Sequence, residues 1–277
     1  MATAADEGLL AQLARLRPDF ERDGAVCVRG GFPRHWLDRL AGGMEENLAN
    51  PGPWAKHYTA EGKPGHFFGD YCNWRRIAGY RDFLLHSPAA EIAGTLMGSK
   101  KVNLFHEHVL VKEPGTEEPT PWHHDQPYWT VDGTQVCSIW LPLDPVARDT
   151  AVEFVAGSHR WGKWYSPASF ADSKSREGTG FEPVPDIAAH ADQYDLIGWD
   201  LALGDCIVFH GLTLHGAPGN RREGRRRAFA SRWTGDDVRF VLRQGYMSPP
   251  PPDDAPPVGA PMDSDVYPVV WRAADAV

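Results

Sequence analysis

The sequence predicts a mainly β protein in which N-terminal helices buttress a barrel-like β-sandwich. Three observations carry this. From Val102 onward, short β-rich runs alternate with Gly, Pro, Asp and Asn clusters, the texture of an all-β core. Before that point, apolar residues recur at helical spacing. The chain has 277 residues, 42% hydrophobic and 23% charged, enough to bury a sizeable core in one elaborated β domain. A single domain over 1–277 is therefore expected, with helices over about 1–100, the β core over about 101–240 and a Pro-rich tail over about 247–277.

The first element is a helix over Glu7–Arg22, where Leu9, Leu10, Leu13 and Leu16 share a face. Ala25–Val28 is a short apolar strand. A second helix spans Pro33–Leu48, with Pro33 suited to the first turn, and a third spans Tyr80–Met97, rich in Leu, Ala and Ile. The predicted strands are Val102–Glu113, Pro121–Asp125, Gln135–Leu141, Val152–Val155, Cys206–His210, Thr213–His215 and Arg227–Trp233. Ser166–Gly198 reads as a long irregular insertion, and Met247–Gly259 as an extended, Pro-rich surface segment. The tail Val266–Trp271 is apolar enough to pack back on the body. No internal repeat is present.

The net charge of −9 repels nucleic acid and anionic membranes in bulk, so a small molecule is the expected partner; one basic run occurs, at Arg221–Arg227. Cys27, Cys72, Cys137 and Cys206 are widely spaced and fit reduced thiols of a cytoplasmic protein. The N-terminal segment contains acids and lacks an apolar h-region, so it is expected to be an amphipathic helix and not a signal peptide. No run of about 20 apolar residues is present to span a membrane. The sequence leaves the oligomeric state open.

The most informative peptide is Pro121-Trp-His-His-Asp-Gln-Pro-Tyr128. In a strand, residues i and i+2 point to one face, so His123 and Asp125 would project together while His124 points away. One imidazole and one carboxylate make two-thirds of a 2-His-1-carboxylate facial triad. The third ligand must come from elsewhere, and Gly204–Gly216 offers His210 and His215. Arg226 follows downstream, and its planar, permanently charged fork suits the far carboxylate of a bidentate oxoacid. His-x-Asp alone is a weak signal; a β-rich His…Arg downstream strengthens it.

Taken together, these segments resemble the phytanoyl-CoA dioxygenase family. In order, they are Val111-Lys-Glu-Pro-Gly-Thr, Trp122-His-His-Asp-Gln-Pro-Tyr, Ser138-Ile-Trp-Leu-Pro-Leu-Asp-Pro-Val146, Phe154-Val-Ala-Gly-Ser-His-Arg160, Leu203-Gly-Asp-Cys-Ile-Val-Phe209, and His215-Gly-Ala-Pro-Gly-Asn through Arg226-Arg-Ala-Phe. The resemblance covers roughly residues 20–235 and extends to order and spacing. It implies a double-stranded β-helix of the jelly-roll or cupin kind. It also implies Fe(II) held by His123, Asp125 and His215, with 2-oxoglutarate and O2 as cosubstrates. Arg226 would grip the distal carboxylate of 2-oxoglutarate, beside Trp140 and His108. The reaction implied is hydroxylation, or another oxidation, of an unactivated C–H bond, with release of succinate and CO2.

This chain departs from the family pattern in two places. Ala217 stands where a Ser is frequent two residues after the distal histidine, and Asp149-Thr150 replaces an Asn-Gly. Relatives that halogenate replace the carboxylate ligand with a small residue; Asp125 is present, which argues for oxygenation. The expected substrate residues are Trp74, in a pre-barrel segment that could form a lid, Tyr128 and Trp129 just after the metal peptide, and Arg232 toward the rim of the last strand, where it could meet an anionic group of the substrate. Lined by these aromatics, a pocket would suit an apolar ring or a quaternary ammonium group. A chain of net charge −9 offers no evident basic entrance for an acyl-CoA.

Overall fold

A computed structural model describes residues 4–167 and 178–274. Helix α1 (Ala4–Asp23) leads into β1 (Ala25–Val28), and α2 (Arg34–Ala49) is followed by the hairpin of β2 (Lys56–His57) and β3 (Phe67–Tyr71). Next come α3 (Ala78–His86), α4 (Ala89–Met97) and the long strand β4 (Lys101–Lys112). The remaining strands are β5 (Thr120–His123), β6 (Val131–Asp132), β7 (Val136–Pro142), β8 (Glu153–Val155), β9 (Leu196–Ile197), β10 (Cys206–His210), β11 (His215–Ala217), β12 (Arg226–Thr234), β13 (Arg239–Phe240) and β14 (Val269–Arg272).

The larger sheet runs β1-β10-β7-β12-β4-β3-β2, and β14 takes the edge of β4 that β3 leaves open. A second sheet runs β5-β11-β8-β9. This is the expected double-stranded β-helix with helices on its outer side. The central strands of the large sheet are buried on both faces, and their alternation shows it. Cys206 and Val208 of β10, Ile139 and Leu141 of β7, and Phe229 and Trp233 of β12 join the core beneath the helices. Ile207 and Phe209, Trp140, and Ala228 and Ala230 face the interior between the sheets. Phe229 shows how the helix layer is seated, its ring lying 4.8 Å from Tyr80 and 5.5 Å from Phe83.

The structure departs from the sequence reading at several points. The helix expected over Tyr80–Met97 is two helices broken at Ser87-Pro88, because Pro88 lacks an N–H and its ring disfavours a helical residue before it. Strand β3 was not expected: Gly69 and Asp70 disguise it, yet Asp70 is fully buried, accepting from Asn47 Nδ2 at 2.7 Å and Gly52 N at 2.7 Å. Met247–Gly259 does not simply lie on the surface: Ser248 N donates to Tyr128 O at 2.8 Å and Ser248 Oγ to Tyr71 Oη at 3.1 Å. Finally, β4 carries a β-bulge. Arg232 pairs with His106 and Trp233 with Leu104, so Phe105 is an extra residue. Val102 and Leu104 therefore face the helices together with Val109 and Val111. Of the Ser166–Gly198 insertion, residues 168–177 lie outside the described residues; the remainder includes a short 3₁₀ turn at Ala191–Gln193 and β9. The tail does pack back, as β14 on β4. Among the described residues, no helix is long and apolar enough to cross a membrane.

Candidate metal centre

Strands β5 and β11 pair so that His123 and His215 stand directly opposite. Their rings are 4.2 Å apart, centroid to centroid. Asp125 joins them by a route other than strand alternation: β5 ends at His123, and Asp125 takes α-region dihedrals (φ −72°, ψ −45°) at the start of the 3₁₀ turn Gln126–Tyr128. The turn delivers Asp125 Oδ1 to 3.6 Å from His123 Nε2 and 3.9 Å from His215 Nε2. One ligand atom from each of the three residues lies within 4.8 Å of the others.

Each ligand is oriented from behind. His123 Nδ1 lies 2.7 Å from Pro121 O and His215 Nδ1 2.9 Å from Thr213 O. Such carbonyls accept a hydrogen bond from Nδ1–H, which keeps the proton there and leaves Nε2 as the lone-pair donor. Asp125 Oδ2 accepts from Ser138 Oγ at 2.8 Å and lies 3.7 Å from Arg232 Nη2, which leaves Oδ1 to face the histidines. Ser138 and Arg232 are themselves a cross-strand pair of β7 and β12. The donor set, two imidazoles and one carboxylate on one side, fits a divalent metal that keeps open positions. Electrostatics agree. Burial, then the neighbouring His123, pulls His215 down to about 3. Burial opposes ionisation of Asp125, but Arg232, His123 and His215 outweigh it and hold the carboxyl well below its usual range.

The centre opens into a cavity between the two sheets. His108 and Lys112 of β4, Trp140 of β7, Arg226 and Arg232 of β12, and Thr120 and Ala217 on the opposing sheet line it. Arg226 sits at one end, donating to Thr150 O and, at 3.4 Å, to Pro218 O. Its strand partner Lys112 donates to Glu118 O at 2.9 Å and Pro218 O at 3.0 Å. Burial, then Arg226, pushes Lys112 well below its ordinary value, and burial alone brings Arg226 down to about 10. His108 is pushed to about 3 by burial and then by Arg232, so it is neutral.

The expected residues do not all meet here. Arg232 lines the cavity, but at the metal centre and not at the rim, because it turns back onto Asp125. Tyr128 and Trp129 do not line this cavity and stand behind its wall: the Tyr128 ring meets His123 edge-on at 5.8 Å, and Trp129 lies beneath the Arg232 guanidinium at 5.8 Å. Trp74 packs in the core under the helices, remote from the cavity lining, because Asn73 and Trp74 are drawn inward by the buried Glu107. His210, the rival distal histidine, is used elsewhere: its Nε2 contacts Thr134 O at 2.7 Å and its Nδ1 accepts from Leu212 N at 3.0 Å. His124 likewise accepts from Tyr165 N at 2.8 Å. Sequence reasoning assigned no role to Thr120 or Ser138, whose place depends on cross-strand register, nor to Lys112, whose period-two position with His106 and His108 was the available signal.

Comparison with known proteins shows the family and the fold. A profile of the phytanoyl-CoA dioxygenase family matches residues 20–228. A Caenorhabditis elegans protein named "Probable phytanoyl-CoA dioxygenase" is 22% identical over an alignment of 172 residues that covers 59% of this chain and 54% of the relative; the chain thus spans about half the relative's length. Among solved structures, the non-heme alpha ketoglutarate dependent epimerase SnoN from nogalamycin biosynthesis is similar at TM-score 0.74 and 23% identity, covering 95% of this chain and 99% of SnoN. EctD from S. alaskensis, solved with 2-oxoglutarate and 5-hydroxyectoine, is similar at TM-score 0.66 and 18% identity, covering 86% and 81%. With the profile spanning most of its length, this chain belongs to the phytanoyl-CoA dioxygenase family.

Proposed function

We infer that the chain is one domain, an Fe(II)- and 2-oxoglutarate-dependent oxygenase that oxidises an unactivated C–H bond of a small molecule. The observation that carries this is the His123–Asp125–His215 cluster opening into the same cavity as a buried, carbonyl-braced Arg226. His123, Asp125 and His215 would hold the iron. Arg226 would receive the far carboxylate of 2-oxoglutarate, against the Trp140 face and near His108. With O2, such a centre supplies an oxidant able to cleave a C–H bond while 2-oxoglutarate becomes succinate and CO2. The protein's part is positional. Carbonyls hold the imidazoles as Nε2 donors, Ser138 and Arg232 keep Asp125 to one facing oxygen, and the apolar walls exclude water. Tyr128 and Trp129 would act on the substrate side by backing His123 and Arg232; Trp74 has no role in this reading. Oxygenation is favoured over halogenation because Asp125 fills the position a halide would need.

The test is succinate release from 2-oxoglutarate with Fe(II) under air, screened against candidate small molecules for one that accelerates it. Release no greater with Fe(II) than with a chelator would sink the oxygenase reading. A second reading is epimerisation by the same machinery, favoured by the likeness to SnoN. Product mass separates the two: hydroxylation adds one oxygen atom, and epimerisation leaves the mass unchanged.

A further inference from the structure

The cavity carries more positive charge than iron and 2-oxoglutarate need. Among the described residues lining it, Asp125 is the one carboxylate, while Arg226, Arg232 and Lys112 are basic. A divalent iron and a dianionic 2-oxoglutarate cancel each other. Asp125 then offsets one arginine, and one positive charge is left over even when Lys112 is neutral. Buried charge without a counter-charge is strongly disfavoured, so the loaded site calls for an anion.

The side chains show where that anion would land. Arg226 is engaged by two backbone carbonyls at its end of the cavity. Arg232 is only 6% exposed, and its single ionic contact is Nη2 to Asp125 Oδ2, which Ser138 already serves. Its Nε and Nη1 are buried with no hydrogen-bond partner among the described residues, and neither has the neighbouring His108 Nε2. Buried guanidinium N–H groups are costly to leave unsatisfied, and a planar fork matches a carboxylate. Arg226 and Arg232 lie six residues apart on one face of β12 with only Ala228 and Ala230 between them, so the floor of the cavity is open from one arginine to the other.

We propose that Arg232 and His108 form a second carboxylate subsite beside the metal, and that the primary substrate is a carboxylate-bearing small molecule held there. This rests on the oxygenase reading. It replaces the cationic or purely apolar substrate that the aromatic residues alone would suggest. The anion sits next to the metal, so the oxidised carbon lies within a few bonds of the substrate's own carboxylate.

The test is a binding measurement on protein loaded with Zn(II), which is redox-inert, and saturated with 2-oxoglutarate. The probes are matched pairs, phenylacetate with phenylacetamide and butanoate with butanamide, titrated by calorimetry. In the wild type at least one carboxylate should bind about tenfold or more tightly than its amide. Arg232→Met should bring that ratio to about one, and Arg232→Lys, which keeps the charge and loses the fork, should leave an intermediate preference. Thermal melting of both variants reports whether they fold, and the Lys variant carries the test if the Met variant does not. Ratios near one for both pairs in the wild type, or a preference unchanged by Arg232→Met, overturn the proposal. So does a loss confined to 2-oxoglutarate affinity, which would make Arg232 a cosubstrate residue. Failure of the wild type to bind 2-oxoglutarate at all would instead defeat the oxygenase reading, and the fall in the carboxylate-to-amide ratio from wild type to Arg232→Met on metal-free protein would still decide the subsite.

Discussion

Each ligand atom at the centre is aimed by a contact on the far side of its own side chain, and single substitutions should separate aim from ligation. His123→Ala, Asp125→Ala and His215→Ala each remove one of three ligands and should abolish tight Fe(II) binding in an anaerobic titration. His210→Ala should not, since its ring nitrogens serve Thr134 and Leu212. Arg226→Lys keeps a cation but loses the fork, so the KM for 2-oxoglutarate should rise roughly 10- to 100-fold, the worth of a charged hydrogen bond, with Fe(II) affinity unchanged. Ala217 removes a frequent family hydroxyl, but its register partner Thr120 lines the same cavity and brings one from the opposite strand. Thr120→Val should therefore weaken 2-oxoglutarate binding, and adding Ala217→Ser should recover it; no recovery would mean that Thr120 does not serve the cosubstrate. The histidines and Arg226 were legible because spacing and residue type reveal them. Thr120 and Ser138 were not, because their role exists only once strands distant in sequence are paired.

Among the elements, β4 and β12 pair along the middle of the large sheet and supply its cationic share of the cavity lining. Phe229→Ala on β12 would empty a fully buried space between Tyr80 and Phe83, at a cost of about 3–5 kcal/mol in denaturant unfolding. On β4, Glu107 is fully buried toward the helix side, and burial raises it to about 8 against the opposing pull of backbone N–H groups at Asn73 and Trp74. A carboxyl raised in the folded state binds a proton that the unfolded chain has already released. Its contribution is therefore fully present below the ordinary value of 4.5 and fades as pH rises toward about 8, at roughly 1.4 kcal/mol per pH unit. Glu107→Gln should flatten that part of the stability–pH curve; an unchanged slope would assign it to other groups. The sequence showed β1, β7 and β10 of the large sheet well, since each is a near-continuous apolar run. It hid β3 behind Gly69 and Asp70, and the break at Pro88 behind two helices of similar composition.

For the whole molecule, ligands that bind only the folded chain should stabilise it by mass action. At one hundred times Kd the gain is about 2.7 kcal/mol, or roughly 5–10 °C in Tm for a chain of this size. Ni(II) and then 2-oxoglutarate should give two successive increments in a melting experiment, and Arg226→Lys should keep the first and lose most of the second. The protein is acidic overall at −9, yet its cavity lining is basic. Composition alone could not reveal this inversion, because the three cations concerned lie on strands that meet only in the folded sheet.

The extra residue at Phe105 also bears on how this chain can change. It switches the phase of β4: Val102 and Leu104, even-numbered, face the helix layer, whereas beyond the bulge the even-numbered His108, Leu110 and Lys112 face the cavity. A one-residue insertion or deletion on the Lys101–Leu104 side can be absorbed at the bulge, leaving His108 and Lys112 facing inward. The same change after His106 has no such buffer and turns every cavity-facing residue of the strand outward. Length variation in β4 should thus accumulate on one side of residue 105 and be purged from the other.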